Sequence, residues 1–477
     1  MQNTSHPSFY IYDFETFGTH AALDRPAQFA GLRVDQNFNI IGEPLVIYCK
    51  QSDDYLPHPE AVMITGITPQ LCNQKGVTES EFADLIHKAF SVPNSCILGY
   101  NTIKFDDEVT RHLFYRNFID PYAHHWQHGN SRWDMIDVVR ATYALRPEGI
   151  NWPLTEEGLP SFKLEALTKA NNIEHSQAHD AMSDVYATIE IMKLILAKQP
   201  RLFQYLYQHR DKQKLIELID IINLTPLVHI SSFYGSYRSN LSIIAPIAWH
   251  PSNKNAVICV DLTYDITPLL ELSAIEIQSR LYKPKNQLTK DELPIGITVI
   301  YLNKCPILAP EKTLLPENIK RLNLDIELIQ QNHSKLKAYT QLKEKLNEIF
   351  DIEKVTDSHT VNDVDNQLYT QFFSQSDKLL FEQIRTTEPK NLPLINITSD
   401  DNRIKELFFR YKARNFPATL DFEEQQAWIA HRKSRLNPDS VANYINKLEE
   451  IAAENQHDEN KLKLLKQLFF YLQSIAN

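Results

Sequence analysis

Two textures of apolar and polar positions divide the chain. Through roughly the first 200 residues, short runs rich in aromatic or β-branched side chains predict strands at Phe9 to Phe14, Ala30 to Val34, Leu45 to Cys49 and Cys96 to Tyr100. A 3.6-residue spacing through Phe82, Leu85, Ile86 and Ala89 predicts a helix over Glu79 to Phe90. Further helices are expected at Asp106 to Phe118, Trp133 to Ala144, Phe162 to Ala170 and Ala181 to Lys198. Strands and helices interleaved in this way predict an α/β domain built on a mixed sheet with helices packed against it. From Leu224 to Cys305 the segments shorten. Leu227 to Ile230, Leu241 to Trp249, Ala256 to Leu262 and Ile297 to Leu302 are parted by Pro, Gly, Asn and Ser, the texture of a small β barrel or sandwich. The polar stretch Asp351 to Asp365 reads as a linker. Amphipathic helices follow it at Gln367 to Phe373, Ile404 to Tyr411, Phe422 to His431, Val441 to Ala453 and Lys461 to Ile475.

The chain has 477 residues, which at roughly 150 per domain predicts about three domains. With 43% apolar and 23% charged residues and only 11 Gly, it is neither collagen-like nor disordered. No apolar run approaches the roughly 18 residues that span a bilayer, since even Ala187 to Ala197 is broken by Glu190 and Lys193. No secretory leader pattern is visible at the start, so a cytoplasmic protein with no membrane association is expected. The five cysteines are scattered and never spaced as CxxC, so reduced, buried thiols are expected rather than disulfides or a zinc knuckle. A net charge of -11 argues against a general nucleic-acid coat. Only residues 201–350 carry more basic than acidic side chains, 18 against 15.

Candidate chemistry begins on the first strand. In Tyr12-Asp13-Phe14-Glu15 the twofold alternation turns Asp13 and Glu15 to the same face. Two carboxylates at the end of an apolar strand repel, and a shared proton, an arginine or a hard divalent cation must offset that repulsion. A bare DxE is short, and solvated carboxylates at strand ends are common. Two further places add to it. Asp106 opens a helix directly after the strand that ends at Tyr100, where the helix dipole also favours an acid. Asp184 lies on or beside the apolar face Val185, Ile189, Met192 and Leu196, where an unpaired carboxylate is costly. His179 precedes Asp184 by five positions, about 140° around a regular helix, and so is expected to project from the loop at the helix start. His124, His125 and His128 cluster without a nearby fourth ligand, which leaves a metal role for them unsupported.

DxE on the first strand, an Asp after the fourth and H-x4-D at the last helix together resemble the DEDDh family of 3′ to 5′ exonucleases, which has a ribonuclease-H-like fold. Longer runs bring the chain close to the bacterial exodeoxyribonuclease I family. These are YDFETFGTHAALDRPAQFAGLR (12–33), ILGYNTIKFDDEVTRHLFYRNFIDPY (97–122), NSRWDMIDVVRATYALRPEGINWP (130–153) and LPSFKLEALTKANNIEHSQAHDAMSDVYAT (159–188). CPILAP (305–310) and ARNFPATLDFEEQQ (413–426) carry the likeness through almost the whole chain. It implies an exonuclease domain over 1–198, an SH3-like domain over 199–352 and an all-helical domain over 353–477.

The resemblance also implies a site. Asp13, Glu15, Asp106 and Asp184 would hold two Mg2+ ions, with Mn2+ as a substitute, and His179 would be the general base. Glu15 would also contact the terminal 3′-hydroxyl. Single-stranded DNA would be held by Arg111, Tyr122, Trp126 and Arg140, in a stretch that mixes basic and aromatic side chains as unpaired strands require. Lys163 stands where an Arg is expected to grip the substrate phosphate, and a Lys keeps the charge but loses the two-pronged geometry. Arg146 and Tyr205 match positions that receive the C-terminal tail of single-stranded-DNA-binding protein, while Leu315 replaces an Arg there. The implied activity is processive, magnesium-dependent 3′ to 5′ hydrolysis of single-stranded DNA to 5′-mononucleotides, by a monomer, in DNA repair and recombination. Two alternatives stay open: an exoribonuclease of the same superfamily, and a non-catalytic single-strand-binding scaffold.

Overall fold

The computed structural model describes residues 7–175, 180–281, 283, 295–351 and 363–476. The chain packs as two compact units. One comprises Met1–Ser131, His175–Ile189 and Thr360–Asn477, and the other Arg132–Glu174 and Glu190–His359.

In the first unit, β1 (Ser8–Thr16), β2 (Pro26–Val34), β3 (Leu45–Tyr48) and β4 (Ser95–Gly99) lie in the order β3-β2-β1-β4. β1 runs antiparallel to β2, with Asp13 opposite Ala30, and parallel to β4, with Ile11 opposite Leu98. β1 is buried along nearly its whole length, as expected of a strand covered on both faces. Tyr10, Tyr12 and Phe14 project from one face into a core with Phe29, Phe82, Phe90 and Phe114. The helix Glu79–Phe90 supplies Phe82, Ala83, Ile86 and Phe90 to that core, and its first turn is capped by the Thr78 hydroxyl, which accepts from the Glu81 N–H. β4 ends on Gly99 because nothing larger fits: a Cβ there would lie 2.4 Å from the Tyr12 carbonyl oxygen and 2.3 Å from Thr102 Cγ2.

The C-terminal helices are part of the same unit. Leu448, Ile451, Leu465 and Leu468 pack with Phe17, Ala27, Val62 and Ile67, while Phe381, Leu407 and Phe408 pack with Tyr115 and Phe118. A buried ion network accompanies them. Arg414 bonds both Asp54 and Asp365, Arg25 bonds Asp365, and Arg116 forks onto Glu79. Asp365, expected in a linker, is fully buried at the centre of these pairs, and residues 352–362 of that expected linker lie outside the described residues. Gln367 to Phe373 is not the expected helix. The Arg403 guanidinium donates to the Gln367 and Gln371 carbonyls and to the Thr370 hydroxyl, taking up acceptors that a helix would use internally. The next helix starts at Gln375 behind a Ser374–Asp377 capping box.

The chain enters the second unit along β5 (Ser131–Asp134). Trp133 is therefore in a strand rather than a helix, and the helix Met135–Leu145 begins after Asp134, whose side chain accepts from the Ile136 N–H. The expected β region forms an antiparallel sheet of β6 (Leu227–Ile230), β7 (Leu241–Trp249), β8 (Ala256–Asp261), β9 (Ile297–Tyr301) and β10 (Ile307–Pro310), in the order β10-β6-β7-β8-β9. The register shifts between Pro246 and Ala248, where a proline has no N–H for the ladder. Leu227, Ile244, Val257, Cys259, Ile300 and Leu308 fill its core. Helices at Pro200–Gln208 and Ile326–Ala338 were not foreseen from the pattern. All five cysteines are buried and none is in a disulfide, and among the described residues no helix is long and apolar enough to cross a membrane.

Candidate active site

Pleating separates the two faces of β1. Tyr12 and Phe14 enter the aromatic core, so Asp13 and Glu15 project from the opposite face of the sheet. The helix Ala181–Lys198 brings Asp184 to them in its first turn. Asp13, Glu15 and Asp184 each offer a carboxylate oxygen, and these oxygens all lie within 4.8 Å of one another. Among the described residues this is the one group of three acidic, His or Cys side chains so disposed. His124, from the histidine cluster, instead packs against Phe90 and Phe114.

Asp106 adjoins the trio without joining it as closely. It is buried at the start of the helix Asp106–Arg116, and its Oδ1 accepts from the Phe14 N–H at 3.3 Å. The latch falls on the backbone between the two β1 carboxylates. Asp107 is tied down as well, accepting from the Tyr12 hydroxyl at 2.8 Å.

These acids are electrostatically uncomfortable together. Burial pushes the Glu15 carboxyl up to about 8, and Asp184, Asp106 and Asp180 push it the same way. Burial, then Asp106, Glu15, Asp184 and Asp180, raises Asp13 well above the ordinary range. A hard cation relieves both effects, because it replaces lost hydration and screens the mutual repulsion. Three oxygen donors in this arrangement suit a hard divalent ion better than a soft one. The residues present therefore fit a divalent metal.

Two contributors escaped the sequence reading. Asp180 raises both β1 carboxylates and accepts from the Ser183 N–H, and His175 places Nε2 2.5 Å from Asp184 Oδ1. No periodicity marks either residue. His179, the expected base, lies outside the described residues.

The expected strand-binding residues are placed as follows. In the first unit, Arg111 Nη1 bonds Glu108 Oε1 at 2.6 Å, reaches the Tyr369 hydroxyl at 3.3 Å and lies 5.6 Å over the Tyr122 ring. Tyr122 in turn meets Phe372 edge-on. Trp126, Tyr369 and Phe372 are all exposed, Phe372 to 86%. Tyr369 and Phe372 thus add to an Arg–aromatic surface that the sequence indicated only through Arg111, Tyr122 and Trp126. In the second unit, Arg140 bonds Asp137 at 2.7 Å and Lys163 is exposed immediately before the helix Leu164–Ala170. Arg146 donates to the Thr313 carbonyl, while Tyr205 stacks on His209 and donates to the Leu308 carbonyl.

Comparison with known proteins accords with this geometry. The model of the family described as Exonuclease matches residues 10–192, that of the Exonuclease I SH3-like domain residues 210–352 and that of the Exonuclease I C-terminal domain residues 362–475. Fold and carboxylate centre together define a hydrolytic nuclease that uses divalent metal. Exodeoxyribonuclease I of Escherichia coli (strain K12) is 53% identical over 98% of both chains, and that of Haemophilus influenzae 50% identical over 97% of this chain and 98% of its own. The chain belongs to the exodeoxyribonuclease I family. Among solved structures, E. coli exonuclease I with a dA16 oligonucleotide superposes with a TM-score of 0.95 at 52% identity, covering 98% of this chain and all of the other. A zinc-bound form of the E. coli enzyme with single-stranded DNA gives 0.94 at 52% identity, and an SSB/exonuclease I structure with the inhibitor CFAM gives 0.92 at 51%. Each of those two covers 99% of this chain and all of the other.

Proposed function

We propose that this chain degrades single-stranded DNA from the 3′ end to 5′-mononucleotides, using Mg2+ and acting in DNA repair and recombination. The observation that carries the reading is the convergence of Asp13, Glu15 and Asp184 oxygens within 4.8 Å, in a chain alike over its whole length to enzymes crystallised with oligonucleotides. The nuclease lies in residues 1–198, and the segments 199–352 and 353–477 help to retain the strand between cleavage events.

Asp13, Glu15 and Asp184 would hold the metal, with Asp106 completing the set. Divalent ions bound there would supply stabilisation of the charge that builds on the entering and leaving oxygens of a phosphodiester. Glu15 also receives the terminal 3′-hydroxyl, which restricts attack to a chain end. His179 takes the proton from the attacking water, a task suited to an imidazole with an unperturbed pKa of about 6.5. Arg111, Tyr122, Trp126, Arg140 and Lys163 hold the strand by charge and stacking. Arg146 and Tyr205 receive the acidic, apolar tail of single-stranded-DNA-binding protein, and the enzyme acts as a monomer in the cytoplasm.

The test uses matched oligonucleotides labelled at the 5′ end. Stepwise shortening from the 3′ end in Mg2+, none in chelator and none of a 3′-blocked strand are expected. Faster loss of the matched RNA would overturn the DNA assignment. His179→Ala is expected to bind the strand and cleave it at least 100-fold more slowly. Full turnover by that variant would remove His179 from its role.

A further inference from the structure

Among the described residues, His175 bonds a carboxylate of the trio, and the proposed chemistry leaves it without a task. Its Nε2 lies 2.5 Å from Asp184 Oδ1, and its side chain is only 4% exposed against 21% for Asp184. We propose that His175 is a positioning residue that holds the Asp184 carboxylate in the orientation a divalent ion requires. This rests on the reading that Asp184 is a metal ligand.

The backbone and the side chain of Asp184 are held differently. The helix fixes its backbone: its N–H donates to the Asp180 carbonyl, and its own carbonyl accepts from the Thr188 hydroxyl. Neither bond restrains the side-chain torsions. Asp13 and Glu15 repel the carboxylate, and its partial exposure offers it an escape toward water. The bond from His175 restrains the carboxylate itself among its rivals.

The chemistry of that donor matters. A lysine or arginine would hold Asp184 equally well, but its charge would oppose the incoming cation. An imidazole orients the carboxylate through one hydrogen bond and brings no permanent charge. One such bond also leaves most of the lone-pair capacity of a carboxylate for a metal. Hydrogen bonds of this kind to metal-binding carboxylates are worth about 10- to 100-fold in metal affinity or activity. A buried imidazole already bonded to Asp184 is also a poor candidate for the base, which must meet the attacking water.

The experiment uses the full chain with His175→Ala, His175→Gln and Asp13→Asn, each checked by thermal melting. Direct Mn2+ binding is read by electron paramagnetic resonance without substrate, and the Mg2+ concentration for half-maximal cleavage with it. For His175→Ala, Mn2+ affinity is expected to fall about 10- to 100-fold and the Mg2+ requirement to rise in proportion, with kcat largely restored at saturating Mg2+. Glutamine keeps an N–H donor near the Nε2 position but cannot accept a proton as a base. His175→Gln is therefore expected to stay within about threefold of the parent in both readouts, a rescue that neither a proton-transfer role nor a simple packing role predicts.

Unchanged Mn2+ affinity in His175→Ala, or a glutamine variant as impaired as alanine, overturns the proposal. If Asp13→Asn abolishes Mn2+ binding while His175→Ala does not, only the positioning role falls. If Asp13→Asn also leaves Mn2+ binding intact, the carboxylate centre itself is refuted and the role of His175 falls with it. Should the alanine variant not fold, His175→Asn, whose amide stops short of Asp184, is compared with His175→Gln by the same two readouts and under the same criteria.

Discussion

Without metal, the protein is expected to become less stable as pH rises from about 5 to about 8, against the usual trend for carboxylates. The cause is Glu15, whose ordinary value of 4.5 is pushed up to about 8 by burial and by the surrounding acids. Between those two values the folded chain keeps a proton on Glu15 that the unfolded chain has lost. Stability then falls with pH, because the unfolded state binds fewer protons across that window. At about 1.4 kcal/mol per pKa unit, the span sets an upper bound of about 5 kcal/mol. Sharing of the repulsion with Asp13 should bring the measured loss to about 2–4 kcal/mol.

Urea unfolding in chelator at several pH values measures this loss. Histidines titrate in the same window. His58 is raised by its bond to Asp24, while burial lowers His87 and His112 to about 4. The informative quantity is therefore the difference between the parent and Glu15→Gln. The variant should show a shallower descent, carried by Asp13 alone, and saturating Mg2+ should abolish the descent in the parent. Parallel stability–pH curves for parent and variant would refute the account of Glu15 as a destabilised acid awaiting a cation.

Other expectations follow from the packing. Asp365→Asn should cost about 3–5 kcal/mol in urea unfolding, since it leaves Arg25 and Arg414 without a shared buried counter-charge. Gly99→Ala should cost about 1–3 kcal/mol and weaken metal binding by displacing Tyr12 beside Asp13; because the carbonyl remains in the way, adding Thr102→Ser should restore only part of the stability. Phe372→Ala should leave the melting temperature unchanged, given its 86% exposure, yet weaken binding of single-stranded oligonucleotides by about 1–3 kcal/mol in fluorescence titrations.

The parts of this molecule legible in its sequence are those set by local rules. Strand alternation alone put Asp13 and Glu15 on one face, and helical periodicity gave Ala181–Lys198 with Asp184 at its start. What escaped depends on encounters between distant residues. Tyr369 lies 258 positions after Arg111 and bonds it, and nothing near residue 369 announces that contact. Asp365 has the polar neighbourhood of a linker, and only the arrival of Arg25 and Arg414 makes it a core residue. Gln367 to Phe373 has helical spacing but loses its carbonyls to Arg403. His175 is nine positions before Asp184, a separation that no regular element brings together. Trp133 differs for a local reason, because Asp134 caps the helix and starts it two residues later than the apolar run suggests.

The shared core of the first unit has a consequence for how the protein is made. Phe17, Val62 and Ile67 receive partners from Leu448, Ile451, Leu465 and Leu468, so a nascent chain carrying its complete catalytic sheet still displays an oily, unsealed flank. That flank is sealed only when the final helices leave the ribosome. Premature stop codons even in the last helix should therefore yield polypeptides that chaperones retain and proteases clear, although every carboxylate of the metal centre has already been translated.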